Sequence, residues 1–285
     1  RIMGTMDILK QIALSEFRHL ERERNEATYF MDVLNSFFMF YRRMGLSASK
    51  LFYNTSKVKA IVAVSSDEGF AGLLDNQIVD KTLELTRQNP DSTVTILGRR
   101  GARKLMDLGV PLQEMPGIPF PLDYEAVLPL KNYLMDMYFK NKIGSVYLVY
   151  GHCFTITRQS IEVQDLLAFD SLELVDRVNN LPSKKDAPYL IVEPDVRRIF
   201  EYTMALWFGR RLYEIFWDCK LAEVASRAIE LNERHDALTK NHSKLKLSYF
   251  RVKREVIDAG IREVFSSHHF SQQNKKSNSG GSHDR

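Results

Sequence analysis

A heptad pattern that runs unbroken from Leu221 to Ala259 constrains this chain more than any other feature of its sequence. The seam reads Leu221, Val224, Ala228, Leu231, His235, Leu238, His242, Leu245, Tyr249, Val252, Val256 and Ala259, in steps that alternate three and four. Such residues form one narrow stripe along a helix, and a stripe that narrow is buried only against another helix. The partner is expected at the opposite end of the chain. There Ala13, Phe17, Leu20, Arg24, Ala27, Met31, Leu34, Phe38 and Tyr41 repeat the alternation, with Arg24 the one charged intrusion.

Between the two stripes the character changes to β-branched runs, glycines and prolines. Val58–Val64 predicts a strand buried on both faces, followed by the turn Ser65–Gly72 and a helix through Leu85. Thr93–Leu97, a turn at Gly98 and a helix over Arg99–Leu108 repeat that order. Pro116, Pro119 and Pro121 then predict an extended loop, Tyr124–Lys140 a helix, Ser145–Tyr150 a third strand, and Ile161–Leu167 a further strand whose pairing the sequence leaves open. Strands alternating with helices imply a mainly parallel sheet with right-handed crossovers. The fold class expected is therefore α/β: an antiparallel coiled coil of N- and C-terminal helices with an inserted Rossmann-like α/β domain. The expected boundaries are 1–57 for the first helix, 58–192 for the globular domain, 193–265 for the last helix and 266–285 for a disordered tail. Asp195 is the expected N-cap of the last helix. Its aromatic first half, through Trp217, should pack on the α/β domain and its later half should project.

Composition narrows the classes of function. With 285 residues, 44% of them apolar, the chain can bury an ordinary core, and a net charge of +4 is too slight to imply a nucleic-acid partner. Two distant cysteines, Cys153 and Cys219, suggest neither a disulfide framework nor a zinc site, and they fit a reducing compartment. No run approaches the roughly 18 apolar residues needed to cross a bilayer, so any membrane association is expected to be peripheral. The opening residues lack a secretory signal, and a first residue of Arg suits a processed or truncated end.

Chemistry-bearing patterns are weak. The turn Ser65–Gly72 stands where phosphate loops stand, yet it lacks G-x-G-x-x-G and a following Lys-Ser/Thr, and Asp67 and Glu68 would repel an anion. Gly98-Arg99-Arg100-Gly101 reads better as a solvated turn than as a phosphate site. His152 and Cys153 are neighbours on a strand and point to opposite sides, so they do not form a nucleophile and base by themselves. His235 and His242 are one heptad apart, too far for a helical metal pair, and polar seam residues of this kind commonly set register. The basic residues Lys240, Lys244, Lys246, Arg251, Lys253 and Arg254 read as a solvated face, without the aromatic series that single strands stack on. No cofactor and no metal is expected.

Ala222-Glu223, Arg227, Leu245-Lys246-Leu247-Ser248-Tyr249, Ile257 and Ile261-Arg262-Glu263-Val264 fall without a gap on a pattern that reads approximately S-E-x-x-A-R-M, then L-x-L-x-Y-N-x-x-R-Q-x-x-I-T-x-E-I-x-E-I. Three further segments keep the same order: Ser65–Gly72 against S-T/S-D-R-G-L-C-G-G, Val146–Val149 against a strand, and Glu193-Pro194-Asp195 against an E-P-D helix opening. Over about Val58 to Phe265 the chain thereby resembles the gamma subunits of F-type ATP synthases. A K-I-T-K-A-M-type motif, usual in the family's first helix, is not found between Asp7 and Tyr41.

The resemblance implies a rotor rather than an active site. Its expected partners are the alpha and beta subunits as a hexamer, the epsilon subunit and the membrane rotor ring, with the chain peripheral to the membrane through that complex. The expected location is the cytoplasmic face of a bacterial inner membrane, an organelle inner membrane being the alternative. In the family the R-Q and T positions face loops of the catalytic beta subunits. Lys253, Arg254 and Asp258 occupy them here and are the candidate beta-contact residues, beside a seam of Leu231, His235, Leu238, His242, Leu245, Tyr249, Val252 and Val256. The alternatives are a divergent force-transmitting subunit on the same scaffold and, with less support, a nucleotide-binding α/β enzyme.

Overall fold

The computed structural model describes residues 2–24, 33–34, 37, 54, 56–69, 71–167 and 195–279. Helix α1 spans Ile2–Arg24, and its apolar residues Ala13, Phe17 and Leu20 are buried, as is Leu34 further on. Ala27, Met31, Phe38 and Tyr41, and the side chain of Arg24, lie outside the described residues, as do the stretch 168–194 and residues 280–285.

The sheet has five strands in the order β3-β2-β1-β4-β5. Strand β1 (Lys59–Val64) is central, parallel both to β2 (Thr93–Leu97) and to β4 (Ser145–Thr155), with Val62 opposite Thr95 and Leu148. From Ala60 to Val64 every residue of β1 is buried, as the unbroken β-branched run requires. Helices α2 (Gly72–Gln88) and α3 (Arg99–Asp107) follow β1 and β2. A 3₁₀ turn at Tyr124–Val127, capped by Asp123 Oδ1 accepting from the Ala126 amide at 2.9 Å, leads into α4 (Leu128–Phe139).

Some details of the sheet depart from the sequence reading. Gln113–Met115 forms a short strand, β3, parallel to β2, where a loop is expected. It has no β-branched residue, and only the edge offered by Thr95–Leu97 makes it a strand. Strand β4 runs past Tyr150 to Thr155 because β5 (Arg158–Asp165) pairs with it antiparallel, which also starts β5 earlier than Ile161. At Gly151 a Cβ would come within 2.9 Å of Leu74 and 3.1 Å of Ala222, so a glycine lets the strand pass between α2 and the last helix.

That last helix, α5, spans Val196–Ser279. Asp195 stands just before it, and its carbonyl accepts the Ile199 amide at 3.1 Å, the first bond of the helix. Phe200, Met204, Trp207, Phe208, Leu212, Ile215 and Phe216 are buried in one core with β1, β4 and α4. The helix continues over residues 266–279, which the composition assigns to a disordered tail. Propagating an existing helix carries no nucleation cost, and the first strong helix breakers in this stretch are Gly280 and Gly281. No described helix is long and apolar enough to cross a membrane.

Candidate functional site

The loops at the C-terminal ends of β1 and β2 are locked by their own side chains. Ser65 Oγ lies 2.9 Å from the Leu97 carbonyl and 3.1 Å from that of Gly98, and it accepts the Gly101 amide at 3.1 Å. Asp75, buried on α2, accepts the Ser66 amide at 3.0 Å and the Ser66 hydroxyl at 2.7 Å. Burial pushes its carboxyl above the ordinary carboxylate value, against the Ser66 hydrogen bonds and the charges of Lys104 and Arg100. Asp67 Oδ1 accepts the Arg99 amide at 2.9 Å. The amides a phosphate would need at the start of α3 are therefore occupied, and Arg99 and Arg100 face Asp67 and Asp75 at 3.6 and 3.8 Å.

His152 and Cys153 do point apart. His152 Nδ1 meets Asp218 Oδ2 of α5 at 2.9 Å, while Cys153 is buried and its thiol donates to the Thr155 carbonyl at 3.3 Å. Burial likewise raises the Cys219 thiol well above its usual value. Among the described residues no three His, Cys, Asp or Glu side chains gather as a metal would require.

A chain of charges occupies the junction of α1, the β1–α2 turn and α5. Helices α1 and α5 are antiparallel here: Lys10 Nζ donates to Asn232 Oδ1 at 2.5 Å, and Glu16 lies 3.8 Å from Arg227. Lys220 donates to Glu223 Oε2 at 2.9 Å and to the Ile118 carbonyl at 3.3 Å. Arg227 Nη2 reaches Glu223 Oε1 at 2.6 Å and Glu68 Oε2 at 2.8 Å. One turn further along, Glu230 accepts the Gly72 amide at 3.1 Å. Burial pushes the Glu223 carboxyl upward, and Lys220 and Arg227 oppose the shift. Sequence reasoning placed Glu223 and Arg227 in a family pattern but assigned them no task. Their spacing with Lys220, three and then four residues, is the helical ion-pair signal that was there to be read.

Further along α5 the environment changes. Leu231 is buried, His235 and Leu238 are half-buried, and His242, Leu245, Tyr249, Val252 and Val256 are exposed, Leu245 by 70%. The heptad stripe is thus covered at one end, and its later residues are open to a neighbour. Lys253, Arg254 and Asp258 are exposed beside it, Arg254 and Asp258 one turn apart on one face. None of the three forms an ion pair with another described residue, and the Asp258 carbonyl accepts from Arg262 Nε at 3.2 Å.

A family model described as ATP synthase matches residues 1–269. The ATP synthase gamma chain of Clostridium botulinum is 25% identical over 214 residues, which are 74% of this chain and 72% of that one. The chain belongs to the ATP synthase gamma family. Two cryo-EM structures share its fold. One is the central stalk and c-ring of the Tetrahymena thermophila mitochondrial ATP synthase, with a TM-score of 0.60 at 16% identity, covering 82% of this chain and 99% of that one. The other is the rotor of the Euglena gracilis mitochondrial ATP synthase, with a TM-score of 0.62 at 11% identity, covering 90% and 94%. Those two structures are described as a central stalk and a rotor.

Proposed function

We propose that this gamma-family chain turns inside a hexamer of alternating alpha and beta subunits, contacts the epsilon subunit and the membrane rotor ring, and itself carries no catalytic group. Proton or sodium flow through the ring would turn it, and its asymmetry would hold the three catalytic sites in different conformations. The observation that carries the reading is the change of environment along α5, from a first part with one face buried in the core to a later part whose apolar stripe stands exposed among basic residues. A rotating surface is better served by exposed charge and shallow apolar contact than by a deep pocket, because each contact must be exchanged as the rotor turns. The proposed location is the cytoplasmic face of a bacterial inner membrane, with attachment only through the complex.

Lys253, Arg254 and Asp258 are the proposed contacts with beta. Two cations on an exposed helix face suit acidic loops across a partly desolvated gap. Reversing both charges, Lys253→Glu with Arg254→Glu, is expected to lower coupled ATP turnover about five-fold, equivalent to about 1 kcal/mol. The thermal midpoint of the isolated chain should hold, because the sites are exposed. Unchanged turnover would remove these residues from the contact.

Native mass spectrometry of the complex formed in the protein's own cells tests the larger reading. The expected mass contains one copy of this chain with three each of two larger subunits. Absence of such a hexamer would favour a divergent force-transmitting subunit of another assembly, the reading to which the altered beta-facing residues point.

A further inference from the structure

A stalk must pass torque between its globular domain and its helices, and apolar packing is poorly suited to that task. The hydrophobic effect opposes separation of two surfaces but is itself non-directional, so it does not by itself select one orientation of the two. Charge-assisted hydrogen bonds fix direction as well as distance, and an arginine fork fixes it in a plane. Buried ion pairs seldom add net stability over apolar groups of the same shape, so a buried charge chain calls for a different explanation.

The charge chain on α5 ties that helix to α1, to the β1–α2 turn and to the loop after β3. Arg227, with a side chain only 13% exposed, holds Glu223 of its own helix and Glu68 of the β1–α2 turn through one nitrogen, and its Nη1 lies 3.8 Å from Glu16 of α1. Lys220 extends the chain to the Ile118 carbonyl in the loop after β3, and Glu230 fastens the first amide of α2. Arg227 Nε is buried without a hydrogen-bond partner among the described residues, a cost accepted while the other end of the guanidinium serves three carboxylates. We infer that Arg227 is the torque-transmitting pivot of the rotor, a positioning residue that locks α1 and α5 to the β1–α2 turn so that the globular domain and the helix pair turn as one body.

This inference rests on the stalk reading, and the test separates the two. The full complex, reconstituted in liposomes, is assayed for ions pumped per ATP hydrolysed. Rotor stiffness is read from the width of angular fluctuations of a bead on the stalk. Arg227→Met, which keeps the length of the stem and removes the charge, is expected to broaden the fluctuations about two-fold and to lower pumping per ATP several-fold while hydrolysis persists. Arg227→Lys should fall between Arg227→Met and the unaltered chain. If Arg227→Met fails to assemble, Glu68→Gln combined with Glu16→Gln removes the pivot's partners at less buried sites and should broaden the fluctuations in the same direction. Unaltered stiffness and pumping in an assembled pivot variant would overturn the inference and leave the stalk reading standing. Failure of the unaltered chain to rotate at all would overturn both.

Discussion

Truncation of Phe208 to alanine is expected to lower the unfolding free energy of the chain by about 3–5 kcal/mol. Phe208 has no exposed surface and belongs to the core that includes Leu130 and Leu134 of α4 and Leu148 and Val149 of β4. Removing the ring loses its transfer free energy and leaves a cavity that a close-packed interior closes only in part. Against a total stability of about 5–15 kcal/mol, such a loss brings a domain near its unfolding threshold. Phe250, on the same helix but 44% exposed, provides the internal control. Phe250→Ala should change stability by less than about 0.5 kcal/mol. Urea unfolding of the two variants, read by the shift in midpoint at constant slope, checks both values. Equal shifts at the two positions would contradict the division of α5 into a buried and an exposed part.

Gly98→Ala is expected to cost about 3 kcal/mol or more, because two independent penalties fall on one methyl group. Gly98 has φ 93°, a conformation that side chains rarely adopt. A Cβ there would stand 2.2 Å from the Ser65 carbonyl oxygen and 2.7 Å from its carbon, and backbone cannot step aside as a flexible side chain can. The same residue donates its amide to the Met115 carbonyl at 3.2 Å, tying β3 to the end of β2, and its carbonyl receives the Ser65 hydroxyl at 3.1 Å. A shift of Gly98 would therefore disturb the ends of three adjacent strands and the start of α3. Gly109→Ala is the informative comparison, since φ there is 75° but nothing lies within 4 Å of the added carbon. It should show the conformational penalty alone, about 1–2 kcal/mol. Thermal melts of both variants separate strain from collision.

Local sequence set the elements whose code is local. The buried character of β1 and β2 and the stripe of Ala13, Phe17 and Leu20 follow from side-chain period, which acts over a few residues. Gln113–Met115 and the extension of β4 to Thr155 were not legible, because those residues are extended only where a neighbouring strand offers its edge. The later seam residues are legible as a stripe, yet nothing in their spacing says that His242 to Val256 stand exposed.

The candidate sites divide in the same way. Lys253, Arg254 and Asp258 come from a family pattern, and the structure adds only that they are exposed on the helix surface. The charge chain at Arg227 was half legible: Glu223 lies four residues away on the same helix, whereas Glu16 and Glu68 are far off in sequence and are brought to the guanidinium by the fold. The sequence by itself thus determined most of the helices and strands, the heptad stripe and the family, since these are written in periods and motifs a few residues long. Tertiary structure alone decided which strand edges are paired, how far the stripe is covered and where the buried charges meet, because each depends on groups that only the folded chain brings together.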